Sequence, residues 1–170
     1  TANNPGSNHL NGVTYGNGYW VAVGYGGTLY YKTDTPDGTW TANNQGNTSL
    51  NDVTYGNGYW VAVGSSGTLY YKADTPVGTW TANNQGSADL YGITYGNGYW
   101  VAVGNGGTLY YKADTPDGAW TANKPGSTDL RSATYGNGYW VAVGYSGTLY
   151  YKAKTLPTIT LDGAYAYIRA

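Results

Sequence analysis

An all-β fold, a propeller built from four-stranded antiparallel blades, is predicted by three features of this sequence. The stretch TYGNGYWVAVG at 14–24 returns unchanged at 54–64, 94–104 and 134–144, a period of 40 residues, which is the length of one propeller blade. Runs rich in Val, Tyr, Trp and Thr alternate with Gly, Asn, Asp and Pro, the signature of short strands and tight turns. No segment shows helical periodicity.

Each repeat divides into four strands. Strand A is LNGVTYG, 10–16 in the first repeat. The Gly-Asn-Gly at 16–18 is a tight turn, because Gly and Asn tolerate positive φ. Strand B is YWVAVG, 19–24, in which Trp20 and Ala22 face one way and Tyr19, Val21 and Val23 the other. The Gly pair at 26 and 27 turns the chain into strand C, TLYYK, 28–32. In the DTPDG stretch Pro36 presets φ, and Asp37 and Gly38 suit the bend. Strand D is TWTAN, 39–43. Blades covered on both sides by neighbours can bury both sets of side chains, so the repeated Trp and Tyr are read as core.

The domain reading is four tandem blades over 1–155, starting near 1, 41, 81 and 121, followed by a strand or hairpin tail over 156–170. The ring is either closed by four blades or is half of an eight-bladed ring made by two chains. The opening TANN matches 41–44 and can pair beside strand C of the last blade. The tail, TITL-DG-AYAYIRA, competes for that edge. Because residue 1 already falls within the repeat pattern, no signal peptide is expected and the chain reads as a mature or excised piece.

Composition narrows the function classes. Charged residues are 10% of the 170, the net charge is −1, and the nine acids are all Asp. That balance predicts no nucleic-acid partner. The absence of Cys removes disulfide and thiolate chemistry, and no apolar run reaches the roughly 18 residues of a membrane span. His9 is the one His and has no visible partner for catalysis or metal binding. The repeated Asp residues read as turn formers, so neither a cofactor nor a metal is expected and the chain is not expected to be an enzyme.

The TPDGTW at 35–40, with TPVGTW at 75–80 and TPDGAW at 115–120, resembles the Asp-box repeat of sialidase-like propellers. The Trp-Val-Ala-Val-Gly and Gly-Thr-Leu blocks look like blades of sialidase-like and photosystem-assembly-factor-like propellers. The spacing departs from the box, and Val77 stands where the other copies have Asp. The resemblance implies a folding role between strands C and D for Asp34, Gly38, Trp40 and their repeats. Sialidase chemistry does not carry over, since the resemblance calls for three Arg and a Tyr/Glu pair and this chain has two Arg and no Glu. The last fifteen residues resemble the ends of phage tail-fibre proteins.

The copies differ in two windows, the D–A connection and the B–C turn. Turns alternate between the two ends of an up-and-down blade, so both windows are expected on one face. That face offers Asn8, His9, Asn11, Tyr25, Ser49, Asn51, Asp52, Ser65, Asp89, Tyr91, Asn105, Asp129, Arg131 and Tyr145. Amides and carboxylates bond hydroxyls, and Tyr rings cover the apolar side of a sugar; this is also the palette of antibody-like paratopes. The expectation is a non-enzymatic module binding carbohydrate or a cell-surface receptor, extracellular or on a virion surface, with a homodimer through blade-edge exchange as a further option. The alternatives are a structural or engineered repeat scaffold without a ligand, and a degenerate glycosidase.

Overall fold

The structure, a computed structural model, describes residues 3–153. The first sheet contains β1 (Leu10–Gly16), β2 (Tyr19–Gly24), β3 (Leu29–Thr33) and β4 (Thr41–Ala42). The second contains β5 (Leu50–Gly56), β6 (Tyr59–Gly64), β7 (Leu69–Ala73) and β8 (Thr81–Ala82). The third contains β9 (Leu90–Gly96), β10 (Tyr99–Gly104), β11 (Leu109–Ala113) and β12 (Thr121–Asn123). The fourth contains β13 (Leu130–Gly136), β14 (Tyr139–Gly144) and β15 (Leu149–Ala153). Strands are ordered as in the chain and pair antiparallel. This is a repeated β-blade fold.

Local chemistry explains the turns. Asn17 and Gly18 both take positive φ, 45° and 80°, which matches the tight hairpin that pairs Gly16 with Tyr19. The B–C link is a short 3-10 turn, Tyr25–Gly27 in the first blade. Asp34 sits in the left-handed region at φ 58°. Its N–H donates to the Gly18 carbonyl at 3.0 Å, and its own carbonyl accepts the Trp20 indole N–H at 3.1 Å. The TPxGxW turn is closed by the Trp40 indole N–H on the Pro36 carbonyl at 3.0 Å, repeated by Trp80 on Pro76 and Trp120 on Pro116. Strand D is shorter than the expected 39–43, because the Trp belongs to this turn rather than to the ladder.

The core lies between sheets. Val21, Val23 and Leu29 of the first blade pack against Leu50, Val53, Trp60, Ala62 and Trp80 of the second. The same sets recur between the second and third blades and between the third and fourth. Each blade thus has a valine face turned to its successor and a tryptophan face turned to its predecessor. Burying one such aliphatic side chain contributes about 1.5–3 kcal/mol, so each junction is held chiefly by apolar burial.

Two expectations need correction. A ring closed by four blades is not formed among the described residues: Val13 is 61% exposed and Val143 40%, whereas their counterparts Val53 and Val103 are at 3% and 0%. Blades stack in chain order, and the first and last faces stay uncovered. The fourth blade has three strands among the described residues. The TITL strand or hairpin expected over 156–170, and Thr1 and Ala2 of the opening TANN, lie outside the described residues. Asn3, expected beside the last blade, lies on the first, where its side-chain N–H donates to the Gly38 carbonyl.

Candidate functional site

The two variable windows do meet on one face. The Tyr25 N–H donates to the His9 carbonyl at 3.0 Å, and the Ser65 N–H to that of Ser49 at 3.0 Å. Asn8 Nδ2 reaches Thr28 Oγ1 at 2.8 Å. The Gly-Asn-Gly turn and the Asp34 bend share the opposite face, joined by the Asp34 to Gly18 bond.

What the residues on that face do differs from what their types suggested. Register shifts near the start of every strand A leave an extra residue there, at Asn11, Asn51, Tyr91 and Arg131. Such a bulge re-aims its side chain, and here it aims at the adjoining blade. Asn11 Nδ2 donates to the Leu50 carbonyl at 2.8 Å and Asn51 Nδ2 to that of Leu90 at 2.7 Å. In the last two blades the Arg131 guanidinium lies 3.8 Å over the Tyr91 ring and 4.0 Å over the Tyr145 ring, a cation–π stack.

A second set of positions anchors the preceding blade's B–C turn. Asp89 Oδ1 accepts the Ser66 N–H and Asp129 Oδ1 the Gly106 N–H, each at 2.8 Å. Ser49 Oγ accepts from Gly26 more weakly, at 3.4 Å. Asp129 also faces Arg131 at 3.4 Å. These carboxylates hold backbone donors rather than standing free for a hydroxyl. His9 and Tyr25 pair their rings at 5.3 Å. Tyr25, Asn105 and Tyr145 are exposed at the turn tips, and Ser65 is half-buried there.

Asp52 is a carboxylate set deep in a junction. It accepts the Val53 N–H at 2.9 Å and, across the junction, the Ile93 N–H at 3.0 Å. Burial pushes its pKa above the usual 3.8, partly offset by those two N–H groups. An acid whose pKa is raised on folding binds its proton more readily in the folded chain. Its contribution to stability is present at low pH and is lost as the pH rises through the folded-state pKa. The difference in urea midpoint between the wild-type chain and Asp52→Asn should therefore move in favour of wild type on going from pH 7 toward pH ~4. Movement in the other direction would mean that the two N–H bonds outweigh burial.

Sequence reasoning missed a further layer of inter-blade contacts. Asn17 Nδ2 donates to the Asp74 carbonyl and Asn57 Nδ2 to that of Asp114, both at 2.8 Å. Asn43 reaches the carbonyls of Pro76 at 2.7 Å and Gly78 at 2.8 Å, and Asn83 reaches Pro116 and Gly118 at 2.8 Å. Buried Gln45 Oε1 accepts the Trp80 N–H at 3.1 Å. The signal was their constancy: an Asn that serves only a turn need not recur unchanged at 43 and 83.

No group of His, Cys and Asp side chains able to hold a metal occurs among the described residues. An apolar groove of about 400 Å³ lies on the outer side of the first blade, lined by Pro5, Leu10, Asn11, Val13, Ala22 and Trp40, so that of the variable positions Asn11 borders it.

No protein-family model matches the chain, and no curated protein does. Solved structures do. The chain is similar to the computationally designed Ika8 protein, with a TM-score of 0.67 and 12% identity over 85% of this chain and 45% of that one. It is also similar to the computationally designed Ika4 protein, with a TM-score of 0.68 and 12% identity over 87% of this chain and 92% of that one. The chain therefore spans about half the length of Ika8. At these identities the likeness is one of fold: a repetitive all-β architecture. It supports neither a sialidase or Asp-box membership nor a tail-fibre identity.

The expectation of a carbohydrate- or receptor-binding module is overturned. The two solved structures just described are designed proteins, and much of the proposed recognition surface is engaged in joining blades. Amides and carboxylates at variable positions resembled a sugar-binding palette because the same groups also bond backbone N–H and C=O across a junction.

Proposed function

We propose that the chain is a structural repeat scaffold: a sector of a propeller whose residues serve blade-to-blade assembly, with no ligand and no catalysis. The observation that carries this reading is that Asn11, Asn51, Asp52, Asp89, Asp129 and Arg131 are each turned to the adjoining blade or its turn. Near-identical copies and the likeness to designed proteins fit an engineered origin. In this reading the TPxGxW turn does the folding job implied by its resemblance to the Asp box, tying strand C to strand D through an indole N–H.

A glycan array combined with thermal-shift measurements tests it. The scaffold reading predicts no retained glycan and no change in the unfolding midpoint with added sugars. Saturable binding that disappears in Tyr25→Ala or Tyr145→Ala, with the circular dichroism unchanged, would overturn it.

A further inference from the structure

Seven of the ten exposed large hydrophobic residues among those described lie on just two surfaces. Leu10, Val13 and Tyr15 form the tryptophan face of the first blade, which has no predecessor. Tyr139, Val143, Leu149 and Tyr151 form the valine face of the fourth, which has no successor. These surfaces carry the same residue types, in the same register, as the two halves of the three junctions already built inside the chain. A face of one kind is left at each end, so each end fits the opposite end of another copy.

The N-terminal residues add a second observation. The Asn3 bond to the Gly38 carbonyl repeats the bonds of Asn43 to Gly78 and Asn83 to Gly118. A Cβ on Gly6 would meet the Tyr30 hydroxyl, as on Gly46 it would meet that of Tyr70 and on Gly86 that of Tyr110. Residues 3–6 thus lie on the first blade as residues 43–46 lie on the second: in the place of the end of a preceding blade's strand D. Inside the chain that strand end is tied to its own strand C, with the Asn43 N–H on the Leu29 carbonyl at 2.7 Å and Asn44 Oδ1 accepting the Leu29 N–H at 3.1 Å. One period away, the partner of Asn3 and Asn4 is Leu149, on β15, which has no fourth strand among the described residues.

We propose that a second copy of this chain docks by both ends, valine face to tryptophan face, giving a closed ring of two chains and eight blades. In it the Asn3–Asn4 segment of each copy lies beside β15 of the other. The two faces do not cover each other within one chain, since Val13 is 61% and Val143 40% exposed. Pro5, which replaces the Gln of the inner junctions, is no obstacle, since Pro125 occupies the same place in the junction between the third and fourth blades, which is formed. The interface is heterologous, and two copies closing on each other leave no free end to propagate. The inference rests on the open faces and not on the absence of a ligand.

Gly136 supplies a selective test. A Cβ on Gly16, Gly56 or Gly96 would run into Tyr55, Tyr95 or Tyr135 of the following blade at 2.5 Å, whereas at Gly136 it meets nothing within 4 Å. In the ring, Gly136 receives Tyr15 of the second copy. Sedimentation equilibrium or light scattering on the full chain should give twice the 18.1 kDa chain mass. Gly136→Val should fold normally by circular dichroism but associate more weakly by roughly 10²-fold or more, because it overpacks both junctions of the ring. A wild-type mass of one chain up to high micromolar concentration, an open-ended series of larger masses, or a pairing that Gly136→Val leaves untouched would each overturn the proposal. Glycan binding by a two-chain ring would refute the scaffold reading and leave this one standing.

Discussion

Replacing Trp60 by Ala, in the single-chain state set by Gly136→Val, is expected to destabilise the fold by about 3–5 kcal/mol. Trp60 is fully buried in the junction between the first and second blades, with its indole N–H on the Asp74 carbonyl at 3.2 Å and its ring 4.8 Å from that of Tyr55. Truncation removes the apolar burial, the ring contact and the hydrogen bond together, and leaves a cavity that neighbouring strands cannot fill without breaking register. The matched change Trp20→Ala should cost about 1–2 kcal/mol. Trp20 makes the same bond to Asp34 and the same contact with Tyr15, but no preceding blade covers it. Equal losses from urea unfolding of the two variants would mean that the first blade is covered as the second is.

The second large effect is expected at Gly64. Its backbone is extended, at φ −163°, a conformation open to any residue, so backbone strain is not the issue. A Cβ there would lie 2.0 Å from the Ser49 carbonyl oxygen. That atom is backbone, held by the Ser65 N–H at 3.0 Å, and cannot swing aside as a side chain could. Gly64→Ala must push strand A from strand B at the bulge, where Leu50 is fully buried. A loss of about 3 kcal/mol or more is expected, at or beyond the upper end of ordinary overpacking, measured as a fall in urea midpoint. A loss below ~1 kcal/mol would show that the hairpin end yields easily.

Much of the blade was legible from the letters. Strands A and B were placed to the residue, because a Gly-Asn-Gly turn between alternating apolar runs leaves one register, which in the second blade buries Val61 and Val63 on one side and Trp60 and Ala62 on the other. The two-face arrangement of turns followed from strand alternation alone. Strand D was overextended, since nothing in TWTAN says that the Trp indole will close the preceding turn. The junction contacts were hidden for a related reason. Whether Asn11 faces solvent or the Leu50 carbonyl depends on a one-residue bulge, and a bulge is a property of pairing rather than of composition. Identical repeats also conceal which copies lie at an end. Val13 and Val53 sit in nearly the same local sequence yet differ from mostly exposed to buried, because exposure here is decided by whether a fortieth residue upstream belongs to another blade.

The reading as a binding module failed at the same level. Tyr91, Arg131 and Tyr145 look like a paratope in sequence and form a stack in space. Variation among the copies marked where junctions are tuned, with Asn to carbonyl bonds in the first two blades and a cation–π contact in the last two.

Amide hydrogen exchange on the Gly136→Val chain tests the central claim, that a single chain is an open stack with two raw faces, most directly. Protection follows the burial of the strands that must open. Amides of β5–β7 and β9–β11, in blades sandwiched on both sides, should exchange slowest, and those of β1–β3 and β13–β15 faster by at least an order of magnitude. Equal protection across all four sheets would mean that the first and last blades are as well covered as the middle ones, and the open stack would be wrong.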